Sequence, residues 1–275
     1  MIRILVDGSA DISEGECAER GMIRVPIPTI LDGVDYADLP YDDFYAAMAA
    51  TKSFPLTSQV TPQQFVEPFE RVLDEGDEVI ALVLSSALSG TYQNALMAKE
   101  IVGSERVHVI DTRHSTHAIR ILVDHAERLV AEGLPAAEIV RKVEHLRPRV
   151  RIIAGLDDLE YMARGGRISR YVATIGDIAH VKPVITFSQR GAVEVLGKSL
   201  GIGKAITQVF RLIRDRGVDD SYTSYEIYTS TPSNTERLHI HLAKAGIHAT
   251  DRLQVGPVIG AHNGPRALGM VFVSR

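Results

Sequence analysis

Short apolar runs alternate along this chain with segments whose apolar residues recur at helical spacing. Residues 79–84 form an unbroken apolar run, which is typical of a buried strand. Residues 2–6 and 107–110 are also mainly apolar, interrupted only by Arg3 and His108, and helical patterns follow these runs, for example at about 13–20 and 91–102. This repeated order of strand, polar turn and helix predicts an α/β fold whose first sheet is mostly parallel and flanked by helices.

Turn and cap signals place further elements in the first half. A second strand is predicted at 23–30, followed by a hairpin turn at Leu31-Asp-Gly-Val34, because Asp-Gly tolerates the positive φ angles of tight hairpins. A helix is predicted at about 40–50. Thr61 and Gln64 have the spacing of a capping box, so the next helix should begin at Thr61.

The second half, beyond a boundary near Pro148, has the pattern of a mixed α/β sheet. We therefore predict two α/β domains, residues 1–150 and 151–275. His262 is expected in a loop between glycine and proline residues. The predicted strands are 151–155, 181–187, 193–196, 225–228 and 249–255. One short helix is predicted before Gly165-Gly166, and a second is predicted to begin at Ser169. Two longer helices are predicted at 204–214 and 235–244.

Composition excludes several classes of protein. The chain has 275 residues, 45% of them hydrophobic and 24% charged, as in ordinary globular proteins. A net charge of −5 argues against a general nucleic-acid-binding surface. No apolar run reaches the length of a membrane span. The single cysteine, Cys17, excludes an internal disulfide and favours a cytoplasmic location.

The polar turn after residues 79–84 is a candidate ligand site. It consists of small hydroxyl residues and glycine, from Ser85 to Gly90, and a helix is predicted from about Thr91. The first N–H groups of a helix are unpaired and attract anions. Ligands of open α/β sheets also lie beyond the carboxyl ends of the strands. An ordinary cap, in which Ser89 holds the first helical turn, explains the same residues equally well.

Two polar clusters contain residue types that bind metals. Asp7 and Asp11 follow the first strand, and Asp111, His114 and His117 follow a later one. At junctions of strands and helices such residues more commonly cap helices and brace neighbouring loops. We therefore predict no metal site.

Two other polar groups have unremarkable interpretations. Thr57 and Ser58 lie on an extended segment, where surface hydroxyls are common. A set of basic residues near the end of the first half is predicted to form a solvated basic face. Its members are Arg141, Lys142, Arg147, Arg149 and Arg151.

A series of motifs runs in order through the whole chain. These motifs are Asp7-Gly-Ser-Ala-Asp11, Thr57-Ser-Gln59, Leu84-Ser-Ser-Ala-Leu-Ser-Gly-Thr-Tyr92, Ile110-Asp111, Leu159-Glu-Tyr161, Gly165-Gly-Arg-Ile-Ser169, Lys182-Pro183, and Gly256-Pro-Val-Ile-Gly260 with His262. Together they resemble the DegV family, which includes the fatty-acid-binding subunits of bacterial fatty acid kinase. The third and sixth motifs are the most specific.

The resemblance implies two domains with one long-chain fatty acid buried in a cleft between them. It also implies that Thr57 and Ser89 bind the carboxylate, with His262 close by and Ser58 and Gly90 adjacent. A fatty acid kinase catalytic subunit would phosphorylate that carboxylate to acyl phosphate. The resemblance therefore implies a binding protein without catalytic residues of its own and without a cofactor other than the fatty acid.

Some residues near these motifs bear on selectivity and docking. The chain differs from the family pattern at 112–120, at 199–203, where an arginine-rich segment is expected, and at Arg266, where glycine is usual. The first and third differences concern the length of the pocket, and the second concerns docking to a kinase. A candidate docking rim surrounds the double glycine and consists of Arg164, Arg167 and Arg170.

Two other functions use the same residues. Ser89 and His262 could serve a serine-dependent acyl hydrolase, although the Gly-x-Ser-x-Gly elbow is absent and no orienting acid is evident. A carrier or sensor of another small anionic metabolite is the second alternative, because a helix N-terminus accepts phosphate as well as carboxylate.

Overall fold

A four-stranded parallel sheet organises the first half of the chain in the computed structural model, which describes residues 1–168 and 181–275. The elements of this half are β1 (Ile2–Asp7), α1 (Glu14–Glu19), β2 (Ile23–Val25), β3 (Thr29–Leu31), β4 (Val34–Asp35), α2 (Tyr41–Ala50), β5 (Leu56–Thr57), α3 (Pro62–Asp74), β6 (Glu78–Val83), α4 (Thr91–Val102), β7 (Val107–Asp111), α5 (His117–Ala131) and α6 (Ala136–Leu146). The strand order is β2-β1-β6-β7.

Both faces of this sheet are covered. Every residue from Val79 to Val83 in the central strand β6 has no exposed surface, which requires a layer on each side. The helix pairs α3/α4 and α5/α6 supply that cover. The continuous apolar run of β6 is therefore the signature of a parallel strand that is buried on both faces.

A small antiparallel sheet of order β4-β3-β5 lies beside the first sheet. The single strand predicted at 23–30 is wrong, because the chain leaves the parallel sheet after Val25 and joins the small sheet at Thr29. Pro26 and Pro28 account for the break, since neither has an N–H group to continue a ladder. The hairpin predicted at Leu31–Val34 is confirmed by the pairing of these two residues.

The second half forms a six-stranded mixed sheet. Its elements are β8 (Val150–Gly155), α7 (Glu160–Arg164), β9 (Val181–Phe187), β10 (Val193–Leu200), α8 (Ile202–Arg216), β11 (Tyr225–Tyr228), α9 (Glu236–Lys244), β12 (Asp251–Gln254), α10 (Pro257–Asn263) and β13 (Leu268–Val273). The order is β10-β9-β8-β13-β11-β12, with β11 and β12 parallel and the other neighbours antiparallel.

Three local predictions in this half need correction or cannot be assessed. His262 lies in the last turn of helix α10, not in a loop. Pro257 at the first helical position and Gly264 after the end, at φ 73°, delimit that helix. Helix α8 begins two residues earlier than predicted, after Gly201. The cap predicted at Ser169 lies outside the described residues.

Helix α5 links the two halves of the molecule. It packs against β1 and β6 of the parallel sheet and against β8 and β13 of the mixed sheet. One continuous set of buried apolar residues accordingly includes side chains from both sheets, such as Leu82 and Ile152. The α/β architecture, with a parallel sheet flanked by helices and a separate mixed sheet, is confirmed. The division at residue 150 stays a prediction.

Candidate functional site

A cavity with about 730 Å³ of space free of protein atoms, part of it open to solvent, lies between the two sheets. Most of its wall is apolar, from Ile27, Leu84, Leu88, Ile152, Ala154, Met162, Ile185, Phe187, Val193, Ile227, Val258 and Ile259. The polar lining residues are Thr57, Ser58, Ser89, Ser115, Thr116, Arg167, His262 and Asn263.

The buried carboxylate of Asp7 holds the loop after β6 in place. Its Oδ2 accepts a hydrogen bond of 2.7 Å from the backbone N–H of Leu84, and its Oδ1 accepts from both the N–H and the hydroxyl of Ser9. Burial nevertheless raises the pKa of this carboxyl above its ordinary value. Asp7 therefore braces the loop that carries Ser89.

Asp11 has the same role for the loop after β7. The hydroxyl of Thr116 donates to its Oδ2 at 2.6 Å, and the Thr116 N–H donates to the Ser9 carbonyl oxygen at 2.7 Å. Burial raises the pKa of Asp11 to about 7. These bonds place Ser115 and Thr116 on the cavity wall. Sequence reasoning missed both residues, because nothing local distinguishes them from other loop hydroxyls.

The loop after β6 is also tied to the second sheet. The hydroxyl of Ser85 donates to the carbonyl oxygen of Gly191, in the β9–β10 connection, at 2.9 Å. Ser86 lies beside it but is exposed and donates to Asp111. Ser85 therefore helps to hold the two walls of the cavity together.

Thr57 and His262 meet on the cavity wall although 205 residues separate them in sequence. Thr57 ends strand β5, which places its hydroxyl 2.8 Å from Nε2 of His262 in the last turn of α10. Nδ1 of His262 is buried and has no hydrogen-bond partner among the described residues. Burial, and then the positive charge of Arg167, lower the pKa of His262 to about 4. The imidazole is therefore neutral near pH 7.

The double glycine allows the backbone to approach this imidazole closely. A Cβ atom on Gly165 would lie 2.3 Å from His262 Nδ1, well inside van der Waals contact. Gly166 has a φ of 75°, a conformation that favours glycine. The Gly-Gly pair thus brings the end of α7 against the histidine.

Ser89 lies beside the start of α4, where Gly90 occupies the N-cap position. Its Oγ is 2.9 Å from the Thr91 Oγ1 and accepts from the Thr91 N–H at 3.2 Å. Gln59 packs on Gly90 so closely that a Cβ atom there would lie 2.0 Å from the Gln59 Oε1. Ser89 therefore both braces the first helical turn and faces the cavity, so the two sequence interpretations are compatible.

Arg167 faces the cavity without a carboxylate partner among the described residues. Its Nε donates to the Leu88 carbonyl oxygen at 3.2 Å and its Nη1 donates to the Gly165 carbonyl oxygen. Because Leu88 precedes Ser89 and Gly165 touches His262, these bonds place the guanidinium among the polar groups of the wall. Burial lowers the pKa of Arg167, which nonetheless keeps its charge near neutral pH.

The three arginines of the predicted docking rim do not share one environment. Arg164 is 58% exposed, forms an ion pair with Glu160 and lies 3.9 Å above the ring of Phe54. It is not part of the cavity wall, whereas Arg167 is. Arg170 lies outside the described residues. The sequence signal, a cluster of arginines near two glycines, could not distinguish these positions.

The histidines considered as metal ligands are buried structural groups. Nε2 of His114 is 3.3 Å from the carbonyl oxygen of Arg147, and Nε2 of His117 is 2.9 Å from that of Gln254. Burial lowers their pKa values to about 4 and about 3. Within residues 1–168 and 181–275, no three His, Cys, Asp or Glu side chains are grouped as they would be around a metal ion.

The arrangement is suited to holding an anion rather than to activating a nucleophile. The Ser89 hydroxyl is paired with Thr91, while His262 is paired with Thr57. No described carboxylate contacts Nδ1 of His262, so the orienting group of a catalytic triad is not in place. A guanidinium and several hydroxyls instead face an otherwise apolar space.

Comparisons with known proteins identify relatives along the full length of the chain. A family model described as "Uncharacterised protein, DegV family" matches residues 1–275. A DegV domain-containing protein of Caldanaerobacter subterraneus is 36% identical over 276 residues, covering 98% of each chain. None of the helices in the described part of the chain combines the length and apolarity needed to cross a membrane.

Solved structures have the same fold. A fatty acid binding DegV family protein from Streptococcus agalactiae matches with a TM-score of 0.90 and 26% identity, covering 100% of this chain and 99% of that one. A DegV family protein from Thermus thermophilus, described for its fatty acid binding, matches with a TM-score of 0.86, 26% identity and the same coverage. The chain belongs to the DegV family.

Proposed function

We propose that this protein binds one long-chain fatty acid in the cavity between its sheets. The carboxylate is bound by the hydroxyls of Thr57 and Ser89 and by the charge of Arg167, next to His262. Ser58 and the N–H of Gly90 complete the polar surroundings. The acyl tail occupies the apolar remainder of the cavity. The protein acts in a bacterial cytoplasm, where Cys17 stays reduced.

The observation that carries this proposal is an apolar cavity with an unneutralised guanidinium on its wall. Arg167 has carbonyl partners but no carboxylate partner among the described residues. A partly buried positive charge in apolar surroundings favours an anionic ligand. Twelve of the twenty lining residues are apolar, so that ligand should carry a long hydrocarbon chain. DegV proteins whose structures are described as fatty acid binding support the same conclusion.

The tail supplies most of the affinity. Burial of roughly fourteen methylenes at about 0.8 kcal/mol each contributes about 11 kcal/mol before costs. Charged hydrogen bonds at the carboxylate add about 1.5–3 kcal/mol each. Association costs about 4–15 kcal/mol, which offsets much of the gain. The head-group residues therefore set orientation and depth more than overall strength.

We further propose that the protein presents the carboxylate to a fatty acid kinase catalytic subunit, which forms the acyl phosphate. The protein itself breaks no bond in this scheme. Support comes from the motif resemblance and from the exposure of Ser58, which lies next to Thr57 on the cavity wall. Ser89→Ala should weaken fatty acid binding modestly but reduce acyl-phosphate output with a kinase partner much more. Equal losses in the two measurements would count against presentation.

Mass spectrometry of an organic extract tests the binding proposal. Protein purified after lipid-replete expression should release about one fatty acid per chain. Extraction of a different small anion in stoichiometric amount would favour the metabolite carrier, and the absence of any lipid would refute fatty acid binding. Turnover of an activated acyl ester that Ser89→Ala abolishes would favour the hydrolase.

A pair of phenylalanine substitutions controls for cavity occupancy. Val193 is buried on the cavity wall, while Leu200, on the same strand, is 63% exposed and does not line it. Val193→Phe should lower the amount of bound long-chain fatty acid, because its ring occupies space needed by the tail. Leu200→Phe should leave it unchanged.

A further inference from the structure

A second, smaller pocket lies near the junction of the two sheets, outside the fatty acid cavity. Three arginines converge on it from different segments: the loop after β7, the turn after α6 and strand β8. We refer to it as the arginine pocket, formed by Arg113, Arg147 and Arg151 with His114, Pro148, Ser188 and Gln189. Its free space is much smaller than that of the fatty acid cavity, so it suits a small ligand group rather than a lipid tail.

Backbone carbonyl groups orient these guanidiniums without neutralising them. Nη1 of Arg113 donates to the Gln189 carbonyl oxygen at 3.2 Å, and Nη1 of Arg147 donates to that of Asp111 at 2.7 Å. Nη1 of Arg151 donates to the carbonyl oxygen of Pro148 at 2.5 Å. Each bond holds one nitrogen of a guanidinium that has further donors.

Carboxylates compensate only part of this charge. Asp111 lies 4.0 Å from Nε of Arg113, so it compensates part of the charge of that arginine, while its oxygens also accept from Ser86 at 2.6 and 3.1 Å. Glu144 is 3.4 Å from Arg147 and is 47% exposed, so solvent screens this pair. Arg151 has no ion pair within residues 1–168 and 181–275. Burial lowers the pKa values of both Arg147 and Arg151, and Arg113 contributes to the first.

His114 lines the arginine pocket as a neutral side chain, because burial lowers its pKa to about 4. Its Nε2 lies 3.3 Å from the Arg147 carbonyl oxygen, so this nitrogen carries the proton. Nδ1 is then an acceptor, and it is buried without a partner among the described residues. His114 therefore adds no charge to the pocket, and the three arginines set its preference for an anion.

We infer that the arginine pocket binds a phosphate group. Guanidiniums pair with phosphate oxygens in a planar, bidentate geometry, which the three convergent arginines offer. The same chemistry suits free inorganic phosphate and a small phosphomonoester.

This site is separate from the proposed fatty acid site but touches its wall. The ring of Phe187, which lines the fatty acid cavity, lies 5.9 Å from the His114 ring, centroid to centroid. None of the three arginines lines that cavity. Phosphate binding can therefore fail without any effect on fatty acid binding, and the reverse also holds.

Calorimetric titration of the full chain tests the inference. Inorganic phosphate, methyl phosphate and sulfate are titrated at about pH 7 with ionic strength held constant. Inorganic phosphate should bind saturably, and sulfate, which has the same tetrahedral shape, serves as the comparison anion. Binding of methyl phosphate as well would identify a phosphomonoester as the source, and its exclusion would identify the free ion. Failure of both inorganic phosphate and methyl phosphate to bind would overturn the assignment.

Charge-matched variants locate the site. Arg113→Gln and Arg151→Gln should each weaken phosphate binding by roughly tenfold or more. Arg141→Gln makes the same change of charge on an exposed residue outside the arginine pocket and should have no comparable effect. Fatty acid content should be unchanged in all three variants. Because Arg113 is 44% exposed, the Arg113→Gln variant should fold normally. Absence of saturable phosphate binding by the unaltered protein would refute the site. An equal loss of phosphate binding in Arg141→Gln would also refute it.

Discussion

Replacing Arg167 by glutamine should weaken fatty acid binding while leaving the apolar cavity intact. In the structure the guanidinium is half-buried and has only carbonyl partners, from Leu88 and Gly165, among the described residues. A bound carboxylate would be its first anionic partner. Charged hydrogen bonds contribute about 1.5–3 kcal/mol net, so the substitution should raise the Kd for a fatty acid roughly tenfold to a hundredfold.

The comparison needs an uncharged ligand and a charge-matched variant. A long-chain primary alcohol has the same tail but no carboxylate, so Arg167→Gln should change its Kd little. Arg164→Gln removes an equal charge three residues earlier, from a side chain that is 58% exposed and paired with Glu160. Exposed ion pairs contribute about 0–1 kcal/mol, so this variant should bind the fatty acid almost normally.

Displacement of a fluorescent fatty acid by the acid and by the alcohol measures both constants for each variant. Thermal melting of each apoprotein checks that the fold is retained. The reasoning would be refuted if Arg167→Gln weakened acid and alcohol equally, because the loss would then come from the shape of the cavity. It would also be refuted if Arg164→Gln caused the same loss for the acid alone.

Three further predictions concern the stability of the site and its support. Gly165→Ala places a Cβ atom 2.3 Å from His262 Nδ1, so it should lower the stability of the protein by about 1–3 kcal/mol and also weaken fatty acid binding. Thermal melting and fatty acid affinity are both measured on this variant, and an unchanged affinity would contradict the prediction. Ser85→Ala leaves the buried carbonyl group of Gly191 unpaired and should lower the free energy of unfolding by about 1–3 kcal/mol in urea titrations. His117 is buried with a pKa of about 3, so below about pH 6.5 only the unfolded chain gains its proton and stability is lost as pH falls. His117→Gln should remove the contribution of His117 to the pH dependence of the unfolding free energy, which is about 1.4 kcal/mol per pH unit between pH 6 and 5. If the unfolding free energy of the unaltered protein and of the variant changed equally with pH, the burial argument would be contradicted.

Local signals were sufficient wherever one segment determines its own structure. The apolar run of β6, the capping box at Thr61 and the Asp-Gly hairpin turn after Leu31 all have the predicted form. The strand predicted at 23–30 is wrong for a local reason too, because the sequence itself contains Pro26 and Pro28, which interrupt the strand. Helix α10 was missed because it is short and almost entirely buried, so no polar face marks its period.

The candidate site required more than local signals. Thr57 looked like an ordinary loop hydroxyl until the fold placed it against His262. The motif resemblance brought these two residues and Ser89 into one hypothesis, but the cluster of arginines around the double glycine was interpreted as one docking rim, which grouped Arg167 with exposed Arg164. Only packing shows that one faces the cavity and the other solvent, because their separation of three residues spans the end of helix α7.

By itself the sequence determined the α/β class, the order of most elements and membership of a family, because strand runs, caps and motifs are properties of neighbouring residues. Tertiary structure decided which side chains share a space. It assembled an apolar cavity from both sheets, left Arg167 without a carboxylate partner among the described residues, and gathered Arg113, Arg147 and Arg151 into one pocket. Those arrangements depend on contacts between distant segments, whose geometry is set by the packing of α5 and the sheets around it rather than by any local pattern.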